Sequence, residues 1–269
     1  MLTVKNLTLS LIAVFLLTAC AQVGPPAAPG SDLDWQQRTP AVAYLRYSPL
    51  KNSVVHALRV DLRRPGVQVL LTPQAEAGRT LPDMPGTAGA VASVNGSFFT
   101  RSFTTRGLTV SDGIPWRGTF DLKDSPLIAC DARSDCAILL QAATVPEPAW
   151  TEVVAGTPWL LADGRQRTPE DDARCAYLCA LTHPRTAVGL DDSRRWLYLV
   201  AAEGRHGAVP GLTLTQLSTV MRQLGAHNAF NLDGGGSTTL LLQGESMAAR
   251  PSSEPALRAV ANALVIRER

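Results

Sequence analysis

Asn231-Leu232-Asp233-Gly234-Gly235-Gly236-Ser237-Thr238-Thr239 lies between two apolar runs, Ala229-Phe230 with Leu232 before it and Leu240-Leu241-Leu242 after it. The pattern predicts strand, turn, strand. A two-residue hairpin needs one or two glycines. Three in a row remove every side chain where the backbone turns, so another group can approach closely. Asp233 stands at the mouth of that bare segment, and Ser237 and Thr238 stand just behind it. A carboxylate, backbone N–H groups and hydroxyls in one place can support a reaction. The same residues also suit a flexible hairpin tip, where Asp is favoured by turn geometry. A nucleotide phosphate loop is not matched, because no Lys-Ser/Thr follows and the next element is a strand. Nor is the nucleophile elbow Gly-x-Ser-x-Gly present.

Working outward, strand patterns dominate. His56 to Leu62 alternates, with Leu58, Val60 and Leu62 opposed to Arg59 and Asp61. Arg64-Pro65-Gly66 turns the chain and Val67, Val69 and Leu71 alternate again, which predicts a hairpin. Ala90 to Val94, Trp196 to Ala202 and Ala259 to Ile266 read as strands, and Trp150 to Gly164 as a hairpin or wall around Gly156-Thr157-Pro158. One helix is clear. Thr213-Leu214-Thr215-Gln216 has the form of a capping box. Leu214, Leu217, Met221 and Leu224 share one face, and Gly225 follows as a C-cap. Glu203 therefore follows one strand, and Asp233 follows another after the helix. If those strands are neighbours, both carboxylates emerge at one sheet edge. The expected fold class is α/β in the mixed α+β sense, a single domain with a mainly antiparallel or mixed sheet and few helices.

Three blocks precede the glycine run: Val94-Asn95-Gly96-Ser97-Phe98-Phe99, His183-Pro184-Arg185-Thr186-Ala187-Val188-Gly189 and Glu203-Gly204-Arg205. As an ordered set the four blocks resemble the phosphodiester glycosidase family. Its usual order is Asn-Gly-Gly-Phe-Phe, His-Pro-Arg-Thr-Ala, Asp-Gly-Arg and Asn-Leu-Asp-Gly-Gly-Gly-Ser. The resemblance runs from roughly Val54 to Ile266. It implies a hydrolase that releases a sugar from phosphate in a sugar-1-phosphodiester of a glycan. Two other readings stand beside it: a phosphodiesterase cleaving the P–O bond, and a non-catalytic glycan-binding surface lipoprotein. Two departures keep the last one open. Glu203 stands where the family usually has Asp, and Leu257 where many relatives carry Glu.

The chemistry implied by the resemblance is specific. A phosphate leaving group departs already anionic, with a further pKa of about 6. It needs a cation to hold it and a carboxylate to manage oxocarbenium charge or activate water. Asp233 and Glu203 are the catalytic candidates. Arg185 is the first candidate for a phosphate clamp, since guanidinium binds phosphate bidentately, with a buried structural ion pair as the alternative; Arg205 is a second candidate that reads more readily as a brace for a nearby carboxylate, and Arg258 is a third. Asn95 is expected to bond a sugar hydroxyl or N-acetyl group, against the alternative of an Asn-Gly turn. Gly234, Gly235, Gly236, Ser237 and Thr238 complete the expected binding set. His183 reads as structural beside Pro184, with an acid or base near neutral pH as the alternative, His206 as a residue that can face the cleft, and His56 and His227 as incidental.

The first nineteen residues read as a bacterial lipoprotein signal. Lys5 supplies positive charge, and Leu7 to Leu17 is apolar but too short to span a bilayer, which needs about 20 residues. Leu17-Thr18-Ala19-Cys20 resembles a lipoprotein cleavage box, which makes Cys20 the lipidation site; an ordinary secretory signal is the alternative. Residues 20–40 read as a Pro/Ala-rich tether, and 41–269 as the phosphodiester glycosidase-like domain. The expected location is the cell envelope, anchored to a membrane and facing the periplasm or exterior. Four cysteines remain, and an even count in an exported chain suggests the local disulfides Cys130–Cys136 and Cys175–Cys179. Their spacings do not match zinc knuckles, so no metal is expected, and no cofactor. A net charge of +2 over 269 residues with scattered Arg and Lys argues against a nucleic-acid partner. The expected partners are a carbohydrate phosphodiester and, through the lipid, a membrane.

Overall fold

The computed structural model describes residues 33–119, 125–141 and 146–269. The leader and Cys20 lie outside the described residues, as does most of the tether. Within the last part of that stretch, Gln36–Gln37 pairs with Val42–Tyr47, and Leu33 and Trp35 pack against the core.

Every strand pair among the described residues is antiparallel. An eight-stranded sheet has at its centre Val55–Asp61, Trp196–Ala202, Arg185–Leu190 and Asn228–Asn231, in that spatial order. Two five-stranded sheets lie against one of its faces. One carries Ala92–Asn95 between Leu240–Leu242 and Ala263–Glu268; the other carries Trp150–Ala155 and Leu127–Asp131. The main core fills the space between them, with Leu58, Val188, Leu199 and Phe230 from the large sheet meeting Val94, Leu240, Ile128 and Val154 from the small ones. The opposite face of the large sheet is covered by the helix Leu214–Leu224. Its Leu214, Leu217, Val220, Met221 and Leu224 are buried, each worth roughly 1.5–3 kcal/mol. Thr213 accepts from the Gln216 N–H and Gln216 accepts from the Thr213 N–H, and Gly225 ends the helix at φ 104°. The capping-box reading of this helix therefore holds.

The fold class needs correction. The protein is mainly β, with three α-helices among the described residues, two of them five residues or fewer. Three expected hairpins are also corrected. Val55–Asp61 and Val67–Leu71 belong to different sheets, and Val67–Leu71 pairs with Ala263–Glu268. Trp150–Ala155 and Trp159–Ala162 are likewise split between sheets, around a cis Thr157–Pro158 bond. The glycine run is not a hairpin tip either, because it carries the chain from the large sheet to a small one. In each case the alternation that marks a strand is present. What alternation cannot carry is the partner, because sheet-to-sheet packing buries one face of either strand equally well.

Both expected disulfides are present. Cys130–Cys136 joins directly opposed residues of a hairpin at a Cα separation of 4.1 Å, and Cys175–Cys179 closes a single turn at 5.4 Å.

Candidate active site

Trp196–Ala202 and Asn228–Asn231 both run antiparallel to Arg185–Leu190, which lies between them. They are therefore parallel to each other and end at the same sheet edge, where the middle strand begins. The two carboxylate-bearing strands are not neighbours, yet their ends share an edge. The insertion of the His-Pro-Arg strand between them brings three blocks together. Pro184 is the meeting point. Its carbonyl accepts the Gly235 N–H at 2.9 Å, a Cβ on Gly234 would lie 2.7 Å from the same oxygen, and a Cβ on Gly204 would lie 2.8 Å from Pro184 N. The fourth block arrives from the small sheet: Gly96 O accepts the Asp233 N–H at 3.0 Å, and Asn95 Nδ2 donates to Asp233 O at 2.6 Å.

The glycines are needed here for two separate reasons. Gly235 has φ +61°, a left-handed conformation that other residues rarely adopt. At Gly236 a Cβ would overlap Glu254 Oε1 and the Arg258 guanidinium. The bare backbone thus lets the segment 247–258 close over it. Ala249 N–H reaches Glu203, Ser252 N–H reaches Arg205 O, and Glu254 pairs with Arg258 above Gly236.

Asp233 sits in this setting with its backbone tied at both N–H and C=O. Burial pushes its carboxyl up to about 6, while the Ser237 hydroxyl, the Gly234 N–H and the Arg258 charge pull the other way. Ser237 Oγ and Thr238 Oγ1 are themselves buried outside good hydrogen-bond geometry. Some of the Asp233 side chain still reaches solvent. The group is therefore reachable and titrates near neutral pH, the range that suits an acid–base or charge-stabilising carboxylate.

The arginines divide differently from the sequence expectation. Arg205 and Arg258 are exposed and stand over the glycine run, Arg205 with Nη1 3.4 Å from the Cβ position of Gly235. Arg185 is 2 % exposed. Its Nε donates to Leu212 O at 2.9 Å, and its Nη2 donates to Leu178 O at 2.6 Å and Leu181 O at 2.9 Å. Three of its five donors are thus committed to backbone carbonyls, and burial lowers its pKa to about 10. This placement matches the structural alternative for Arg185 more closely than a phosphate clamp.

Two further candidates are buried. Asn95 is fully buried, and besides its bond to Asp233 its Oδ1 accepts from Thr186 Oγ1 at 2.7 Å and Thr239 N at 3.0 Å. It ties Asp233 to the loop behind it, with both Oδ1 lone pairs engaged. Glu203 is also buried. Its Oε1 accepts from His56 Nε2 at 2.7 Å and Ala249 N at 3.0 Å, and its Oε2 from His206 Nε2 at 2.9 Å. Burial opposes its ionisation, but the His56 and Ala249 bonds and the two imidazoles outweigh that and hold the carboxyl at about 2. Glu203 is thus held on the ionised side by its hydrogen bonds, unlike Asp233.

Glu254 and Asn262 were missed in sequence, and His56 was read as incidental. His56 bridges Glu203 to Tyr44 through Nδ1 at 2.7 Å, and nothing in local spacing links residues 147 apart. Glu254 pairs with Arg258. Asn262 bonds the Ser97 backbone and hydroxyl, and its Oδ1 occupies the space a Cβ on Gly96 would take. His183, half-buried, has its pKa lowered by burial and by Arg185 and Arg205 against the Tyr177 bond; it accepts from Arg205 at Nδ1 and donates from Nε2 to Tyr177 O at 3.2 Å.

Known proteins resemble this chain in sequence and fold. A family model described as phosphodiester glycosidase matches residues 88–267. Mouse N-acetylglucosamine-1-phosphodiester alpha-N-acetylglucosaminidase is 30% identical over 190 residues, covering 64% of this chain. The match spans only 35% of that relative's length. The catalytic domain of the zebrafish N-acetylglucosamine-1-phosphodiester alpha-N-acetylglucosaminidase, auto-inhibited by its pro-peptide, shares the fold at TM-score 0.69 and 22% identity, over 90% of this chain and 87% of that one. A hypothetical protein from Synechocystis shares it at TM-score 0.62 and 17% identity, over 86% and 63%.

Proposed function

This chain belongs to the phosphodiester glycosidase family, and we propose that it hydrolyses a sugar-1-phosphodiester in a glycan, releasing the sugar from phosphate. The observation that carries this reading is Asp233, a carboxyl raised to about 6 and faced by Arg258, at the point where all four sequence blocks meet. In the proposed reaction the bond between the anomeric carbon and the phosphate oxygen breaks. The water oxygen joins that carbon and its proton passes to Asp233. Ionised Asp233 also faces the positive charge that develops on the sugar. Arg205 and Arg258 hold the phosphate, which leaves as an anion and so needs little help from a general acid. The test is hydrolysis of an N-acetylglucosamine-1-phosphodiester in oxygen-18 water. Label in the sugar supports the reading; label in the phosphate means P–O cleavage, and no turnover of any sugar-1-phosphodiester removes the enzymatic reading.

We also infer that the chain is an exported lipoprotein of the cell envelope, attached through Cys20. The motive is the apolar run ending at Leu17-Thr18-Ala19-Cys20, and two native disulfides suit an oxidising compartment. Mass spectrometry of the mature N-terminal peptide decides it: a diacylated Cys20 supports the anchor, and an unmodified or absent Cys20 rejects it.

A further inference from the structure

Tyr177 and Leu181 are 81 % and 48 % exposed, four residues apart at and just after the short helix Ala176–Cys179, whereas the other exposed large apolar residues among the described ones, Leu50 and Ile114, stand elsewhere in the chain. Scattered apolar side chains on a surface need no explanation. These two differ because their turn is held from several directions. The Cys175–Cys179 disulfide closes it. Arg185, buried beneath, donates to the carbonyls of Leu178 and Leu181. Arg167 donates to Asp171 O at 2.8 Å and reaches the Cys175 and Cys179 sulfurs at 3.4 and 3.6 Å. His183 donates to Tyr177 O and its ring lies 6.1 Å from the Tyr177 ring. His183 then accepts from Arg205, which stands over Gly235. A continuous row of contacts runs from Tyr177 through His183 and Arg205 to the glycine run.

We propose that Tyr177 and Leu181 form a carbohydrate-binding platform at the rim of the candidate active site, on which the sugar beyond the scissile phosphate packs. The proposal rests on the reading of Arg205 as a phosphate ligand, since that places the group esterified to the phosphate next to His183 and Tyr177. The C–H face of a sugar ring is apolar with a slight positive potential, and the face of a tyrosine ring carries the negative end of the aromatic quadrupole. A platform already rigid loses little conformational freedom on binding, so more of the contact energy appears as affinity. The buried position of Arg185 also gains a purpose here, because it orders the surface on which substrate rests instead of touching substrate itself.

The test compares two probes in the full-length protein: N-acetylglucosamine-1-phosphate esterified with methanol, and the same phosphate esterified with a hexose hydroxyl. In the wild type the hexosyl diester should have the lower KM. In Tyr177→Ala/Leu181→Ala the ratio of the two KM values should move toward one, a change of about five- to tenfold, equivalent to roughly 1 to 1.4 kcal/mol. Tyr177→Trp should restore the ratio. A second arm does not need turnover: calorimetric binding of the hexosyl diester to Asp233→Asn should weaken by the same factor when Tyr177→Ala/Leu181→Ala is added. An unchanged KM ratio or an unchanged affinity in that arm overturns the platform. If the wild type turns over neither probe the enzymatic reading fails, while the calorimetric arm still decides the platform.

Discussion

Asp233→Asn should remove sugar release and at the same time make the protein more stable at neutral pH. The magnitude follows from the site. Burial raises the carboxyl from 3.8 to about 6, roughly two units, and each unit is worth 1.36 kcal/mol. Because part of the side chain reaches solvent, that product is an upper bound and about 1–3 kcal/mol is expected. The folded state binds the proton more tightly than the unfolded chain. Wild-type stability contributed by this group is therefore complete below about pH 4 and falls as pH rises toward 6. Asparagine carries no charge and escapes the loss. Thermal unfolding at pH 4 and pH 8 checks this. The variant should match the wild type at pH 4 and exceed it at pH 8 by about 2–10 °C for a domain of this size. Hydrolysis of a sugar-1-phosphodiester at pH 8 should be lost in the same sample, because the charge that meets the cationic transition state is gone. Wild-type turnover, or a Tm difference that is the same at both pH values, would refute the reasoning.

Other outcomes follow from the same contacts. Glu203→Gln should cost about 3 kcal/mol at pH 7, since the carboxyl is depressed from 4.5 to about 2; the cost should disappear as pH falls through 2, read by urea unfolding at several pH values. Arg185→Ala should act mainly on stability, by about 3 kcal/mol, because three buried carbonyls lose a charged donor. Arg205→Ala should leave Tm nearly unchanged and raise KM at least tenfold, so steady-state kinetics beside a melting curve separate the two arginines. Cys130→Ser/Cys136→Ser should lower stability by about 2 kcal/mol, the entropy of opening so short a loop, with urea unfolding as the measure.

Local chemistry was fully written in the chain. The helix Leu214–Leu224 could be read to the residue because its cap, its apolar face and its terminating glycine lie within thirteen positions. The two disulfides were legible for the same reason, each joining cysteines four or six residues apart. The four blocks also announced a common site, since residue types so improbable as an ordered set need a shared task. What tertiary structure alone decided was which groups face the cleft. Arg185 and Arg205 are the same side chain in sequence, yet one is buried under carbonyls and the other stands over Gly235. Glu203 and Asp233 are both carboxylates at strand ends, yet one is held at about 2 by His56, Ala249 and His206 and the other raised to about 6 by burial. A strand's alternation records that one face is buried but not against which partner. Charge state and orientation depend on neighbours that come from 46 to 147 positions away, such as Ala249 and His56 at Glu203. Those neighbours exist only once the sheets have packed.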